Sequence, residues 1–122
     1  MTFNVSTLLQ VVVALGLYNV WLVRARRATS YRGGASKTLR EEFKVYGLSD
    51  SVFRLVGALK IGCATLLLAG LAIPSLTAPA AGVIAVLMVG AIAMHIKAKD
   101  PVMKSAPALA MLLMTGWLAM SA

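Results

Sequence analysis

Residues 61–96 read IGCATLLLAGLAIPSLTAPAAGVIAVLMVGAIAMHI, a run with no titratable side chain but Cys63 before His95. A helix crossing the hydrocarbon core of a bilayer needs about 20 residues, so this run is too long for one crossing and long enough for two. Pro74 and Pro79 divide it, because proline removes a backbone donor and ends or kinks a helix. Working outward, the first half extends back to a span at about 51–73 and the second half fills 77–97. Two more apolar stretches flank the pair, at about 3–23 and 101–120, and the latter carries only Lys104. The sequence therefore predicts an all-α, polytopic membrane protein: a single four-transmembrane-helix bundle over residues 1–122.

Composition agrees. The chain is 60% hydrophobic and only 13% charged, whereas soluble domains are about one quarter charged. A chain this short could not bury so much apolar surface in water. The net charge of +8 suits anionic lipid headgroups, and because the cations flank the spans and form no basic domain of their own, nucleic acid is not an expected partner. Arg24, Arg26, Arg27, Arg32, Lys37, Arg40 and Lys44 lie between the first two spans, while Lys97, Lys99 and Lys104 lie between or beside the last two. By the positive-inside rule both basic loops are cytoplasmic and both termini lie on the non-cytoplasmic side of the cell inner membrane. Positive charge follows the first apolar segment and does not precede it, so that segment is expected to be a retained helix and not a signal peptide. Tyr18 and Trp21, one turn before the arginine cluster, suit the headgroup interface, where Arg24, Arg26, Arg27 and Arg54 would contact lipid phosphates.

A short amphipathic helix is expected at about 36–46, capped by Ser36 and ended by Gly47. Leu39, Phe43 and Tyr46 share one of its faces, so it either lies in the membrane interface or folds back onto the bundle. Ser49 or Asp50 can cap the second span. Asp100 can cap the fourth, with Pro101 at its first position and Pro107 kinking it further on. Gln10 and Asn19, polar residues within the first span, are expected to bond another helix or the backbone.

Lys60 carries the functional signal. It is a lone cation about nine residues into the second span, near the bilayer midplane. Such a residue is costly there, so it usually faces the bundle interior, pairs with another group and marks a site. Gly57, Cys63 and Ala64 share its face, which favours close helix approach. Met88, Ala91 and His95 share a face on the third span. The candidate ligand-binding set is Lys60, His95, Asn19, Glu41, Glu42, Arg32 and Asp100, all toward the cytoplasmic half. Together they suggest a cavity whose polar end meets an anionic or carbonyl-bearing headgroup or a quinone. The competing expectation is structural: Lys60 snorkels or pairs, and His95 and Asp100 cap helices.

One histidine, one cysteine and four carboxylates, with no close ligand pair, make no evident metal site, and bis-histidine haem is impossible within one chain. No disulfide or CxxC chemistry can arise from Cys63 alone. No nucleophile or phosphate loop stands out, so a catalytic residue is not assigned.

Phe43-x-x-Tyr46-Gly47-Leu48, Leu55-Val56-Gly57-Ala58-Leu59-Lys60, Leu66-Leu67-Leu68 and Met88-x-Gly90-Ala91-x-x-x-His95 together resemble the DoxX-like family of small four-helix membrane proteins. His95-x-x-x-x-Asp100-Pro101-x-x-Lys104, followed by Ala108-Leu109, also resembles that family's NACHO branch, whose namesake assists receptor assembly. Many relatives carry glutamate where this chain has Lys60. The resemblance implies a helical bundle in the inner membrane. The leading expectation is an accessory or assembly subunit of a membrane complex, non-catalytic and either self-associating or paired with another membrane protein, with the Gly- and Ala-rich helix faces and the basic loop as contact surfaces. The residues themselves leave open a binder or enzyme for a lipid-soluble small molecule such as a quinone, and a small transporter as a lesser alternative.

Overall fold

The computed structural model describes residues 4–23 and 38–121. Among these described residues five α-helices follow in chain order: α1 (Val5–Tyr18), α2 (Leu39–Val45), α3 (Asp50–Ala69), α4 (Thr77–Lys97) and α5 (Ala106–Ser121). There is no strand among the described residues. Counting their terminal turns, α1, α3, α4 and α5 are each long and apolar enough to cross a membrane. The all-α, four-span architecture read from the sequence is what the chain adopts.

Local chemistry sets the helix ends. Asn4 caps α1 by accepting from the Thr7 amide at 2.9 Å. Ser49 caps α3 by accepting from the Val52 amide at 3.3 Å. Thr38 caps α2 through the Glu41 amide at 3.1 Å; Ser36, the expected cap, lies outside the described residues. The other end of α2 closes as a Schellman motif. Leu48 N–H donates to the Phe43 carbonyl at 2.9 Å and Gly47 N–H to the Lys44 carbonyl at 3.0 Å, and Gly47 takes the left-handed φ of +78°. Pro74 opens a 3₁₀ turn, Pro74–Leu76, and Pro79 is accommodated in the first turn of α4.

Two expectations for the last span are corrected. Asp100 caps no helix: the 3₁₀ turn Val102–Ser105 has no side-chain cap, and the Asp100 carboxylate meets His95 instead. Pro107 does not interrupt a helix that is already running. The 3₁₀ turn delays α5 until Ala106, so Pro107 falls in its first turn, where an amide donor would find no intrahelical partner anyway.

The four spans form a ring in which α1 packs on α3, α3 on α4, α4 on α5 and α5 on α1. Val13, Ala14 and Leu17 of α1 meet Cys63, Ala64 and Leu67 of α3, Ala81, Ile84 and Met88 of α4, and Leu118 of α5. Alanines among these positions let backbones approach closely, which is how helices associate in lipid. Gln10 fastens this core. Its amide donates to the Leu67 carbonyl at 3.0 Å and to Thr77 Oγ1 at 3.1 Å, the interhelical role expected of it.

A second core lies at the end of the bundle where α3 begins. After Tyr18 the first span continues as a π-turn, Asn19–Val23. Within it Trp21 continues the buried face of Ala14 and Leu17 and joins a cluster with Phe53, stacked at 5.3 Å between centroids, and Phe43, edge-on at 5.8 Å. The headgroup placement expected of Trp21 and Tyr18 is therefore corrected. Trp21 is buried, and Tyr18 is half-buried with its hydroxyl donating to Thr65 Oγ1 at 2.6 Å. Leu39, Phe43 and Tyr46 are all buried, so α2 folds back onto the bundle. Arg40 fixes its angle by donating from Nε to Asp50 Oδ1 at 3.0 Å and from a terminal nitrogen to Oδ2, and this hydrogen bonding raises the pKa of the guanidinium further. From the α4 end, Lys97 Nζ donates to the Tyr46 carbonyl at 3.2 Å.

Gly57 is where this second core tolerates nothing larger. A Cβ there would stand 2.8 Å from the Trp21 ring. Gly57→Ala is expected to destabilise the bundle by about 1–3 kcal/mol, the range for overpacking a close-packed core. Thermal unfolding in detergent followed by circular dichroism checks this. Gly62→Ala, with open space beside it, should change little and serves as the control.

Candidate functional site

The second core floors a cavity of about 640 Å³, within the size range of small-molecule sites. Leu17, Val20, Val56, Leu87, Met94 and Met111 give it an apolar wall, and Lys60, His95, Asn19, Glu42, Tyr46 and Lys104 bring polar atoms to it. Lys60 lies ten residues beyond the first residue of α3, about 15 Å along the helix axis. His95 stands in the last turn of α4. Because α3 and α4 run antiparallel, the cavity reaches from the headgroup end of the bundle to mid-depth.

Lys60 Nζ rests over the Trp21 ring, 5.5 Å from its centroid. It makes no hydrogen bond and no ion pair with a described residue. Glu42 on α2 acts on it through space as an opposing charge. An ammonium held on an aromatic face beside an apolar cavity is positioned to accept an anionic or carbonyl oxygen.

His95 is only 5% exposed and is held from behind. Its Nδ1 lies 2.8 Å from Asp100 Oδ2 and 3.2 Å from the Tyr46 hydroxyl. The other Asp100 oxygen faces the Lys104 ammonium at 4.0 Å. An ionised carboxylate can only accept, so Nδ1 carries the proton. The Tyr46 hydroxyl therefore donates elsewhere, to Glu42 Oε1 at 3.1 Å. Nε2 is left with no hydrogen-bonding partner among the described residues. In a neutral ring it is the lone-pair nitrogen.

Of the residues singled out in the sequence, Lys60, His95, Asn19 and Glu42 line the cavity, and Asp100 stands behind His95. Glu41 is exposed on α2 and Arg54 is exposed on α3, and neither lines the cavity. Arg24, Arg26, Arg27 and Arg32 lie outside the described residues. Three contributors were missed as site residues. Trp21 was read as a headgroup anchor. Tyr46 was read only as part of an apolar face, although its spacing of four from Glu42 is the signal for their bond. Lys104 was read only as loop charge, although its spacing of four from Asp100 gives their ion pair. Among the described residues no group of three or more His, Cys, Asp or Glu side chains is placed to hold a metal ion.

Fold and site together define a small multi-pass helical membrane protein with an intramembrane cavity, apolar in its walls and polar at one end. The chain belongs to the DoxX-like family, whose sequence profile matches residues 8–118. No curated protein and no solved structure matches it. Its spanning helices put it in contact with membrane lipid.

Proposed function

We propose that the protein binds one lipid-soluble small molecule in this cavity, with an anionic or carbonyl-bearing end toward Lys60 and His95. Quinones are among the classes that fit. The observation that carries the reading is Lys60 itself: a cation at mid-depth, lining an apolar cavity, with no ion pair to any described residue. Lysine at this depth is costly, and a bound ligand would offset the cost. We place the protein in the inner membrane with both basic loops cytoplasmic, on the distribution of its lysines and arginines.

Native mass spectrometry of gently solubilised protein, with identification of retained lipophiles, tests the reading. One stoichiometric lipophile is expected on the wild type and is expected to be lost in Lys60→Met. That substitution removes no hydrogen bond, so folding should persist. A wild type without a specific lipophile, or a Lys60→Met variant that retains it fully, overturns the proposal.

An accessory-subunit role in a membrane complex is a second reading. Gly62, Gly82 and Gly116 support it, since each leaves open space in which another helix could approach closely. A second polypeptide of fixed stoichiometry in the same spectra is its expected sign, and a chain found only alone counts against it.

A further inference from the structure

Two features of the cavity remain without a use in simple lipophile binding: the Asp100–His95 pair behind it, and its reach to the outside of α4. The core side of α4 is marked by Ala81, Ile84, Met88 and His95. Val86 and Gly90 stand away from that side, yet both line the cavity, and Val86 is 71% exposed. Val86 is eleven residues from the end of α4, about 16 Å along the axis and so near mid-depth. The cavity therefore meets the hydrocarbon region directly, and a ligand can arrive from within the bilayer.

An ion cannot readily take that route, because a charge in hydrocarbon is too costly. A neutral acid can. The bound state, however, faces an ammonium on Trp21 and a ring nitrogen with a free lone pair. We infer that the cavity is a site for a long-chain carboxylic acid that enters laterally in its neutral form, gives its proton to His95 Nε2 and is held as carboxylate by Lys60. The inference rests on the cavity being a ligand site. In the step the acid O–H bond breaks and an Nε2–H bond forms, with no electrons transferred. The imidazolium is held by Asp100, whose carboxylate already accepts from Nδ1 at 2.8 Å. The other charged groups facing the cavity are Glu42 and Lys104. With Asp100 and Lys60 they balance in sign, and a neutral acid preserves that balance whether or not its proton moves.

The sole histidine of the chain makes the test direct. Full-length ¹⁵N-labelled protein in nanodiscs would be titrated with palmitic acid and, separately, with methyl palmitate, reading the two ring nitrogens by NMR. Palmitic acid is expected to bind and convert the ring from the Nδ1–H tautomer to imidazolium, while the ester leaves the ring unchanged. Lys60→Met should weaken the acid about tenfold to a hundredfold, the range of a charge-assisted hydrogen bond, and affect the ester little. Gly90→Trp, at a cavity-lining position where a Cβ meets nothing within 4 Å, should slow loading without altering the ring in the empty protein. If the ester binds as tightly as the acid, or the acid binds with Nε2 still unprotonated, the inference falls and the cavity reading stands. If neither probe binds, the inference falls too, and the cavity reading is then decided by the retained lipophile in the native mass spectra.

Discussion

Trp21→Ala is expected to destabilise the bundle by about 3–5 kcal/mol, the cost of emptying an aromatic-sized volume from a packed core. The indole ties three parts of the molecule together: it stacks on Phe53 of α3, meets Phe43 of α2 edge-on and lies beneath the Lys60 ammonium. Its loss should therefore act on more than global stability. With Leu39 and Phe43 deprived of their partner, α2 should exchange its amide hydrogens much faster while α4 remains protected. Unfolding of purified protein in detergent measures the first effect and hydrogen exchange the second. Trp21→Phe keeps a ring and should recover most of the stability. A uniform loss of protection across all helices would contradict the two-core organisation.

Leu67→Ala should cost about 2–5 kcal/mol in the other core. Leu67 is fully buried where α1, α3 and α4 meet, and its carbonyl receives the Gln10 amide. The hydrogen bond survives the substitution, so the loss isolates packing. Leu66→Ala, next to it but facing lipid at 42% exposure, should change the unfolding midpoint little. Equal losses at the two positions would mean that α3 does not turn Leu67 to the core and Leu66 to lipid.

The sequence made the spans legible because each is an apolar run of the length a bilayer demands, broken by proline or charge. It made Lys60 and His95 legible as well, since ionisable residues in such runs are rare. It did not disclose the π-turn at Asn19–Val23, which has no compositional mark, and it left Trp21 at the headgroups, although the spacing of four from Leu17 and seven from Ala14 puts it on the buried face of the first span. Asp100 was misread for a related reason. A carboxylate before a proline fits a helix cap locally, but the α4–α5 turn brings it within 2.8 Å of His95, a stronger claim on its charge. The choice between Glu41 and Glu42 depended on how α2 docks. That docking is set by Gly47, Arg40 and the aromatic cluster together, and no single one of them declares it.

The depth of Lys60 also gives the site an electrical address. A unit charge crossing the whole membrane gains or loses about 2.3 kcal/mol per 100 mV, so a charge travelling from the aqueous edge to mid-depth works against about half of that. An anion drawn to Lys60 from the water at the near edge would thus bind with an affinity that changes roughly sevenfold per 100 mV of membrane potential. A neutral molecule sliding in from the bilayer carries no charge through the field, and its occupancy would be the same in an energised cell and a depolarised one.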